Sequence, residues 1–309
     1  MIHPLDRRHL KKRYFFQGGL VLDTALHIGT GRAVSPVTDS PVLRDASGLP
    51  VIPGSSIKGV FRSTVERIAP NLPGFRTCSL EDDVDDCLSP QNGKLGDAYR
   101  TVRGYRRRVI PKEETIKGDE EKQAFDALKM LEHPEWAGEI ITDVLLLTLL
   151  DEHLCDTCKL FGSPHMAARA SFSDMHVNAD SWLDVCEIRD GVGIDRDSER
   201  AVDQVKFDFE VVPSGTAFSF GMILENPADK DLAMAAVGLS ELMQGMARLG
   251  GIKSRGLGAC RLNLAPVRVL DYTDPNQLAR YLTAGIDALD PVSPDIFITD
   301  AIKKAIPAA

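Results

Sequence analysis

The sequence predicts an α+β fold, in which a sheet carries helices on one face. Two segments, residues 55–68 and 231–249, place apolar side chains at intervals of three and four, the spacing of an amphipathic helix. Shorter segments are apolar or alternate between apolar and polar residues, which predicts strands. Without residues 70–159 the order is strand, helix, strand, strand pair, helix, strand, which is typical of a ferredoxin-like (RRM-like) sandwich.

The first strand and the first helix come from the N-terminal part of the chain. Residues 18–28 begin with a glycine pair and continue as an apolar segment, which predicts a strand. A loop rich in Ser, Pro and Asp follows. The helix 55–68 comes directly after Pro53-Gly54, and Ser55 or Ser56 is expected as its N-cap.

The later elements follow from the same patterns. We expect strands at 168–177 and 259–269, a hairpin of 206–212 and 217–224, and a helix at 231–249. Asp231 is placed to cap that helix and Gly250-Gly251 to end it. We expect one domain over residues 1–309, with its core in 14–69 and 160–270. The insertion of about 70–159 carries a short amphipathic helix near 122–131, and the tail 271–309 has no predicted element.

Composition excludes several classes of protein. Of 309 residues, 43% are hydrophobic and 26% are charged, which is ordinary for a globular protein and argues against disorder, collagen and coiled coil. The longest apolar stretch, residues 144–150, is far shorter than the roughly 20 residues of a membrane span. We find no secretory signal and few cysteines, so we expect a cytoplasmic protein without a membrane partner.

Charge is distributed unevenly along the chain. The net charge of −9 weighs weakly against nucleic-acid binding, because counterion release rewards positive surfaces. However, residues 100–112 contain six basic residues and no acid, whereas residues 81–86 contain five acids in six positions. The run Arg106-Arg107-Arg108 is therefore a basic patch, and contact with a nucleic acid, a neighbouring subunit or solvent alone all stay open.

Two glycine-containing segments are candidate binding elements. Residues 53–56 leave backbone N–H groups unpaired at a helix start, and Lys58 and Arg62 extend this anion site. An ordinary capped helix with solvated charges is the alternative, and this segment alone favours it. Glycines at 250, 251, 256 and 258 surround Lys253-Ser254-Arg255, which permits positive φ angles and close approach of a ligand. A helix C-cap leading into a bulged strand is the alternative there.

Residues 189–210 are predicted to form a protruding hairpin, with its projecting part at about 187–206. Their polar middle lies between a turn and a strongly alternating strand. A hairpin with no role beyond its own solvated structure is the alternative.

Four cysteines are candidate ligands of a structural zinc ion: Cys78, Cys87, Cys155 and Cys158. The last two have the C-x₂-C spacing that places two thiolates on one metal, and the first two are the best candidates to complete a tetrahedral site, with His153 in reserve. Four protein ligands leave no open position for catalysis. Redox chemistry and unrelated buried thiols are the alternatives, and single buried thiols are expected at Cys186 and Cys260.

The segment from Leu26 to Ser63 resembles the N-terminal signature of the RAMP superfamily, specifically the backbone subunits of type III CRISPR effector complexes. The resemblance rests on the segments His27-Ile28-Gly29, Asp39 to Asp45 and Gly48 to Gly59. Residues 250–262 are similar to the glycine-rich loop of that family, and residues 189–196 to the start of its thumb hairpin. Residues 160–169 are similar to a further family segment, although Ala168 replaces a small polar residue.

The resemblance implies a guide-RNA-binding subunit that assembles head to tail and cleaves complementary target RNA with Mg²⁺ or Mn²⁺. It implies guide RNA, target RNA, paralogous or identical backbone subunits and other effector-complex subunits as partners, and it favours zinc in the insertion. It identifies Asp39 as the catalytic residue. The expected RNA contacts lie at the helix start, the thumb and the glycine-rich loop: Gly54, Ser55, Ser56, Lys58, Arg62, Arg189, Arg196, Gly251, Lys253, Ser254, Arg255, Gly256 and Gly258.

Other functions stay open at this point. A structural guide-binding subunit would leave cleavage to a paralogous copy. A guide-RNA-processing endonuclease of the same superfamily commonly uses a histidine near the first helix, and this helix has none. An α+β zinc protein with another partner is the remaining alternative. From the residues alone, Asp39 before Ser-Pro is typical of an Asx-turn, and no histidine is identified as a general base or acid.

Overall fold

The computed structural model describes residues 7–30, 38–78, 87–89, 93–194 and 201–306, together with His3 and Leu5, with backbone alone at 192–194 and 201–206. The strands are β1 (Lys12–Leu22), β2 (Val51–Ile52), β3 (Ala170–Phe172), β4 (Met175–His176), β5 (Glu187–Ile194), β6 (Ala201–Val211), β7 (Ala217–Glu225), β8 (Cys260–Leu264), β9 (Val267–Asp271) and β10 (Pro291–Val292). The helices are α1 (Gly54–Ile68), α2 (Lys94–Gly104), α3 (Asp119–Met130), α4 (Asp143–His153), α5 (Asp156–Phe161), α6 (Asp229–Met243), α7 (Pro275–Ala284) and α8 (Pro294–Ala305). No helix among the described residues is both long and apolar enough to cross a bilayer.

The main sheet is antiparallel, with β1 between β9 and β7, and it agrees with the predicted α+β class. Strand β8 also pairs with β1, along residues 18–22. Gly18 lies at the start of this pairing, where a Cβ atom would lie 2.3 Å from the Asn263 carbonyl oxygen. The glycine pair therefore lies inside the first strand, and the predicted bounds of 18–28 were wrong at both ends.

Alternate residues of the sheet bury a core beneath α1, α6 and α8, with Phe16, Phe61 and Phe218 among its largest side chains. The opposite face is covered by α7, which packs on Phe15 and Leu270. The tail therefore contains two helices that the sequence did not suggest. The first is capped by Asp274, whose carboxylate accepts hydrogen bonds from the amides of the next turn.

The insertion has a hydrophobic core of its own. Its members come from residues 87–158, together with Leu5 and Met166. The predicted helix near 122–131 is confirmed as α3, with α2 and α4 beside it in the same core. The insertion therefore folds as a helical unit attached to the sheet domain.

Four further element boundaries differ from the predictions. The expected hairpin of 206–212 and 217–224 was wrong, because β6 pairs with β5 whereas β7 pairs with β1 and β3. The segments 168–177 and 259–269 are each divided into two strands. Helix α6 ends at Met243, before Gly245 at φ +73°, rather than at Gly250-Gly251. Asp231 lies inside this helix, and its carboxylate accepts a hydrogen bond from the Ala228 amide.

Candidate nucleic-acid interface and metal centre

The start of α1 and the glycine-rich loop line one groove of about 630 Å³, here called the central groove. Helix α1 contributes Ser55 and Ser56, and the loop contributes Gly251 and Lys253. Ser40, which follows Asp39 in the chain, lines the same groove. Three segments that are far apart in sequence therefore meet here.

The glycine-rich loop packs closely on the chain around His27. A Cβ atom at Gly250 would lie 2.2 Å from the His27 carbonyl oxygen, and the Gly251 amide donates to that same oxygen at 2.9 Å. Gly258, at φ +79°, closes the loop against Leu249, where a Cβ atom would lie 1.9 Å from the Leu249 carbonyl oxygen. Gly256 also has a positive φ but faces open space. Packing therefore accounts for Gly250 and Gly258, but it does not account for Gly256.

The cationic part of this loop is exposed. Lys253, Ser254 and Arg255 form a short 3₁₀ turn, and all three are exposed. The turn is flanked by Ile252 and Gly256, which both have left-handed backbone conformations. Below it, Leu257 is buried against Phe209 at the base of the ribbon formed by β5 and β6. The loop thus presents two positive charges on an anchored support.

The start of α1 differs from the prediction. Its N-cap is Pro53, which has no side-chain cap, so neither Ser55 nor Ser56 caps the helix. The Gly54 amide donates to Oδ1 of Asp174 at 2.7 Å, and a Cβ atom at Gly54 would lie 2.5 Å from the Phe172 carbonyl oxygen. Gly54 is therefore required by packing and its amide is engaged, whereas Ser55 is exposed.

Arg62 does not line the central groove. Its guanidinium donates to Oε1 of Glu66 at 2.7 Å and to Sγ of Cys158 at 3.6 Å. The groove is lined by the stripe of α1 that contains residues 55, 56, 59, 60 and 63, whereas residues 58, 62 and 66 form the neighbouring stripe. Burial and the positive charge of Arg62 lower the pKa of Lys58, which fits their position on one stripe. Neither Lys58 nor Arg62 is therefore among the residues that line the central groove.

Asp39 is exposed, and its loop is held by β6. The Asp39 amide donates to Oδ1 of Asp208, and the Asp208 amide donates to Oδ2 of Asp39. Thr38 adds a hydrogen bond from Oγ1 to Oδ1 of Asp208 at 3.0 Å. The loop of Asp39 is therefore tied to β6 directly before Ser40, whereas neither Asp39 nor Asp208 is itself among the residues that line the central groove.

Glu210 fixes the next part of the same loop. Its carboxylate accepts hydrogen bonds from Arg44 at 2.5 Å and from the Val42 amide at 2.9 Å. Its carbonyl oxygen lies 2.7 Å from Nδ1 of His27. Because a carbonyl can only accept, Nδ1 donates to it, and Nε2 lies 3.3 Å from the Ser40 hydroxyl oxygen. These contacts connect β6, His27 and the loop of residues 38–45.

Sequence reasoning missed Asp208 and Glu210. The alternation of residues 207–211 had predicted an apolar face of Phe207, Phe209 and Val211, which is buried at the last two positions but exposed at Phe207. The acids between them were the available signal, because alternation puts them together on the other face of the strand.

Two expected contacts belong to residues 189–196, and β5 and β6 pair there as an antiparallel ribbon. Arg189 is exposed and forms an ion pair with Glu187 at 3.2 Å. Arg196 lies outside the described residues.

The four candidate zinc ligands lie together at the junction of the insertion and α1. Their sulfur atoms are all within 4.8 Å of one another, and Cys78 Sγ lies 3.4 Å from both Cys155 Sγ and Cys158 Sγ. A tetrahedron with Zn–S bonds of about 2.3 Å has sulfur–sulfur distances of roughly 3.8 Å, so the arrangement fits a tetrahedral metal ion. Three of the four are buried. The predicted grouping of these cysteines is confirmed, and His153 is not a member of this cluster.

Hydrogen bonds surround the sulfur atoms. The Cys155 amide donates to Cys87 Sγ at 3.4 Å, and the Thr157 hydroxyl lies 3.3 Å from Cys155 Sγ. Contacts with Cys158 and Cys78 lower the pKa of the Cys155 thiol, and the contact with Cys155 raises the pKa of the Cys78 thiol. By contrast, burial raises the pKa of the isolated Cys260 thiol to about 12.

Comparison with known proteins agrees with these features. A family model described as the RAMP superfamily matches residues 20–261. Three curated relatives carry the name CRISPR system Cms endoribonuclease Csm3. The protein of Methanocaldococcus jannaschii is 43% identical over 65 residues, which is 20% of this chain and 26% of the relative. The protein of Enterococcus italicus is 52% identical over 54 residues, 16% of this chain and 25% of the relative. The protein of Methanothermobacter thermautotrophicus is 42% identical over 59 residues, which is 18% of this chain and 24% of the relative.

The matched segment spans about a quarter of the length of these relatives. The family model is much more extensive, since it covers more than half of the chain and includes α1, the ribbon and the glycine-rich loop. The chain belongs to the RAMP superfamily.

Proposed function

We propose that the chain is a guide-RNA-binding backbone subunit of a type III CRISPR ribonucleoprotein in the cytoplasm, and that it cleaves complementary target RNA with a divalent metal ion. The observation that carries this proposal is the central groove, in which the start of α1 and the glycine-rich loop meet Ser40, the neighbour of Asp39. The family membership and the names of the relatives support the same function.

The central groove binds the guide through its phosphates. Ser55 and Ser56 offer hydroxyl groups at a helix start, and Lys253 and Arg255 offer positive charge from the opposite end of the sequence. The start of α1 and the glycine-rich loop also carry the other expected contacts of these segments, Lys58, Gly251, Ser254 and Gly256. Because these groups recognise phosphate rather than bases, binding is independent of guide sequence. The ribbon of β5 and β6, which carries Arg189, is the thumb that enters between guide and target bases. Arg196, outside the described residues, is a further RNA contact in this proposal.

Asp39 acts on the target strand. Cleavage requires attack of a ribose 2′-oxygen on the adjacent phosphorus, with loss of the 5′-oxygen of the next nucleotide. The carboxylate of Asp39 orients the attacking hydroxyl. Asp39 and Asp208 together offer carboxylate oxygens to a divalent cation, because Mg²⁺ and Mn²⁺ prefer oxygen ligands. When bound, the ion would supply neutralisation of the charge that develops on the phosphorus oxygens.

Zinc has a structural role in this proposal. In this proposal the ion is held by Cys78, Cys87, Cys155 and Cys158, and it ties residues 78 and 87 to the start of α5. Metal analysis should find one zinc ion per chain. The Cys158→Ser variant should lose this ion, whereas Cys186→Ser should retain it, since Cys186 is outside the cluster.

A structural subunit without cleavage activity is the second candidate. It is favoured by the hydrogen bond that Asp39 accepts from the Asp208 amide, because the same carboxylate then serves to hold the loop. In the first candidate the negative charge of Asp39 is needed for cleavage. In the second candidate Asp39 only accepts a hydrogen bond, so its charge is not needed.

The test compares Asp39→Asn with wild type in the reconstituted guide complex. Asparagine keeps an oxygen acceptor for the Asp208 amide but removes the charge, so guide and target affinity should be unchanged. We expect the single-turnover cleavage rate to fall by at least about 100-fold, with products ending in a 2′,3′-cyclic phosphate and a 5′-hydroxyl in the wild type only. Asp45→Asn is the matched control, because Asp45 accepts hydrogen bonds from the Ser47 and Leu49 amides within its own turn. Full-rate cleavage by Asp39→Asn would favour the structural subunit.

A further inference from the structure

We propose that Asp156 positions the ligands of the cysteine cluster and, through Lys230, couples metal binding to the attachment of the insertion to the sheet domain. The cysteine cluster consists of the four thiols described above, Cys78, Cys87, Cys155 and Cys158. The inference rests on the metal centre of the proposed function, and it adds two residues that are not themselves ligands.

Asp156 joins the two segments that carry Cys155 and Cys78. It follows Cys155 directly, and Arg76 lies two residues before Cys78. The Arg76 amide donates to Oδ2 of Asp156 at 2.8 Å, and the Asp156 amide donates to the Arg76 carbonyl oxygen at 3.0 Å. This reciprocal pair sets the spacing of two ligands whose sulfur atoms are 3.4 Å apart. Hydrogen bonds of this kind, one step outside the ligands, orient the ligands of metal sites.

Lys230 extends this pair to the sheet domain. It is the second residue of α6, and its Nζ donates to Oδ2 of Asp156 at 3.1 Å and to the Gly74 carbonyl oxygen. The same ammonium group lies 5.3 Å from the ring centroid of Phe75, which is buried in the main core. Residues 74–76 are therefore held by α6 and by Asp156 together, close to a ligand of the cysteine cluster.

The burial of Asp156 makes this arrangement more than a surface ion pair. Asp156 is only 6% exposed, and a buried carboxylate is costly unless its oxygen atoms accept hydrogen bonds and a cation lies nearby. A divalent metal ion with four thiolates adds a charge of −2 to the same region, which increases the need for a cation. Lys230 supplies that cation from α6.

Metal binding and attachment to α6 are linked because Asp156 takes part in both. A metal ion that holds Cys78 and Cys155 together also holds Asp156 in place for Lys230. Such linkage is reciprocal, so losing the Lys230 contact lowers the metal affinity by the factor by which the metal strengthens that contact. An ion pair without this link would change the stability of the protein but not its metal affinity.

The first experiment measures the Co²⁺ affinity of the full chain by competition with a chelator. Asp156→Ala removes the acceptor of the Arg76 amide, so we expect the affinity to fall by about 10- to 100-fold, with a shift of the thiolate-to-cobalt absorption band. Asp156→Asn keeps an oxygen acceptor for that amide and should recover most of the affinity. The matched control is Asp126→Ala, which removes an exposed carboxylate from α3 of the insertion and should bind Co²⁺ as wild type does.

The second experiment measures hydrogen exchange in the peptide that contains the first turn of α6, with and without Zn²⁺. In wild type, the metal should slow exchange there. Lys230→Met keeps all four thiols, so it should still bind zinc, but the metal-dependent protection of α6 should be lost. Because the Lys230 side chain is 45% exposed, this variant should fold even if Asp156→Ala does not.

The outcomes separate this inference from the proposed function. If wild type binds neither Zn²⁺ nor Co²⁺, the metal centre of the proposed function is wrong and the inference fails with it. If wild type binds metal and Asp156→Ala binds it equally well, the metal centre stands and the positioning role of Asp156 is wrong. Equal protection of α6 by zinc in wild type and Lys230→Met would show that Lys230 does not couple the two.

Discussion

Asp39 and Asp208 hold each other by reciprocal hydrogen bonds, in which each amide donates to the carboxylate of the other residue, at 2.7 Å and 3.2 Å. The two residues are 169 positions apart in sequence. The loop that carries Asp39 is therefore fixed to β6, the same strand that forms one side of the ribbon. The position of the candidate catalytic carboxylate depends on a residue outside its own segment.

Replacing Asp208 should impair cleavage without impairing guide binding. Asp208→Ala removes the acceptor for both the Asp39 amide and the Thr38 hydroxyl, so residues 38 and 39 are held less tightly, although the Glu210 amide still binds the Ser40 carbonyl oxygen. A displacement of about 1 Å at a catalytic group reduces rate by roughly 100-fold. We expect a decrease of this order in single-turnover cleavage by the reconstituted complex, with guide affinity unchanged. Asp208→Asn retains an oxygen acceptor and should recover part of the rate.

A wild-type cleavage rate in Asp208→Ala would show that the reciprocal pair does not position Asp39. A loss of guide binding in the same variant would instead show that Asp208 is needed to maintain the structure of the central groove.

Local sequence patterns predicted the elements whose determinants are local. Helix α1 was predicted to within one residue of its observed start, because its apolar side chains have the spacing of a buried helix face. The four cysteines were identified because thiolates at C-x₂-C spacing have few other common uses in a reduced protein. These features depend on residues that are close in the chain or on the chemistry of one residue type.

Features that depend on distant partners were not predictable in this way. Gly18 was predicted at the start of a strand, but it lies inside β1, where the close approach of β8 requires glycine. Arg62 was expected to contact phosphate, and nothing in its own segment revealed that α5 brings the Cys158 sulfur to its side of α1. The position of Asp208 beside Asp39 follows from a parallel bridge between Ser40 and Phe209, which no local pattern reveals.

Arg62 should increase the affinity of the cysteine cluster for metal. Zinc with four thiolates carries a net charge of −2, and Arg62 donates a hydrogen bond to Cys158 Sγ from the neighbouring helix. Removing such an outer hydrogen bond typically reduces metal affinity by about 10- to 100-fold. We expect Arg62→Met to show this decrease in competition with a chromophoric chelator, together with a shift of the thiolate-to-cobalt charge-transfer band in the Co²⁺-substituted protein. The control is Arg67→Met, an exposed position on the same helix. Equal metal affinity of the two variants would contradict this role.

Alanine at Gly258 should destabilise the protein much more than alanine at Gly256. Both residues have positive φ, of +79° and +89°, which costs an L-residue about 1–2 kcal/mol. At Gly256 the added methyl group meets open space, so this cost stands alone. At Gly258 the Cβ atom would also lie 1.9 Å from the Leu249 carbonyl oxygen, so we expect a loss of more than about 3 kcal/mol. Chemical denaturation of both variants measures the difference, and similar values would mean that the base of the loop relaxes freely.

Stability of the insertion should decrease as pH rises past the raised pKa of His133. Its Nδ1 and Nε2 atoms lie 2.7 Å from Glu135 and 2.6 Å from Glu152, and its ring stacks on Trp136. Burial acts to lower the pKa of His133, but the hydrogen bonds with Glu152 and Glu135 outweigh it and raise the pKa above 6.5. Because the folded pKa exceeds the unfolded one, the stabilising contribution is complete below pH 6.5 and is lost as pH rises through the raised value.

Thermal unfolding of wild type and His133→Gln at several pH values measures this contribution. We expect wild type to be the more stable protein at pH 6 and the difference to shrink as pH rises past the raised pKa, because the imidazolium then loses its proton and its attraction to both carboxylates. The exposed His9 supplies the control variant His9→Gln, which should follow wild type throughout. If the difference in melting temperature between wild type and His133→Gln is the same at every pH, the effect comes from ring stacking on Trp136. Stacking does not require the attraction between the imidazolium and the two carboxylates.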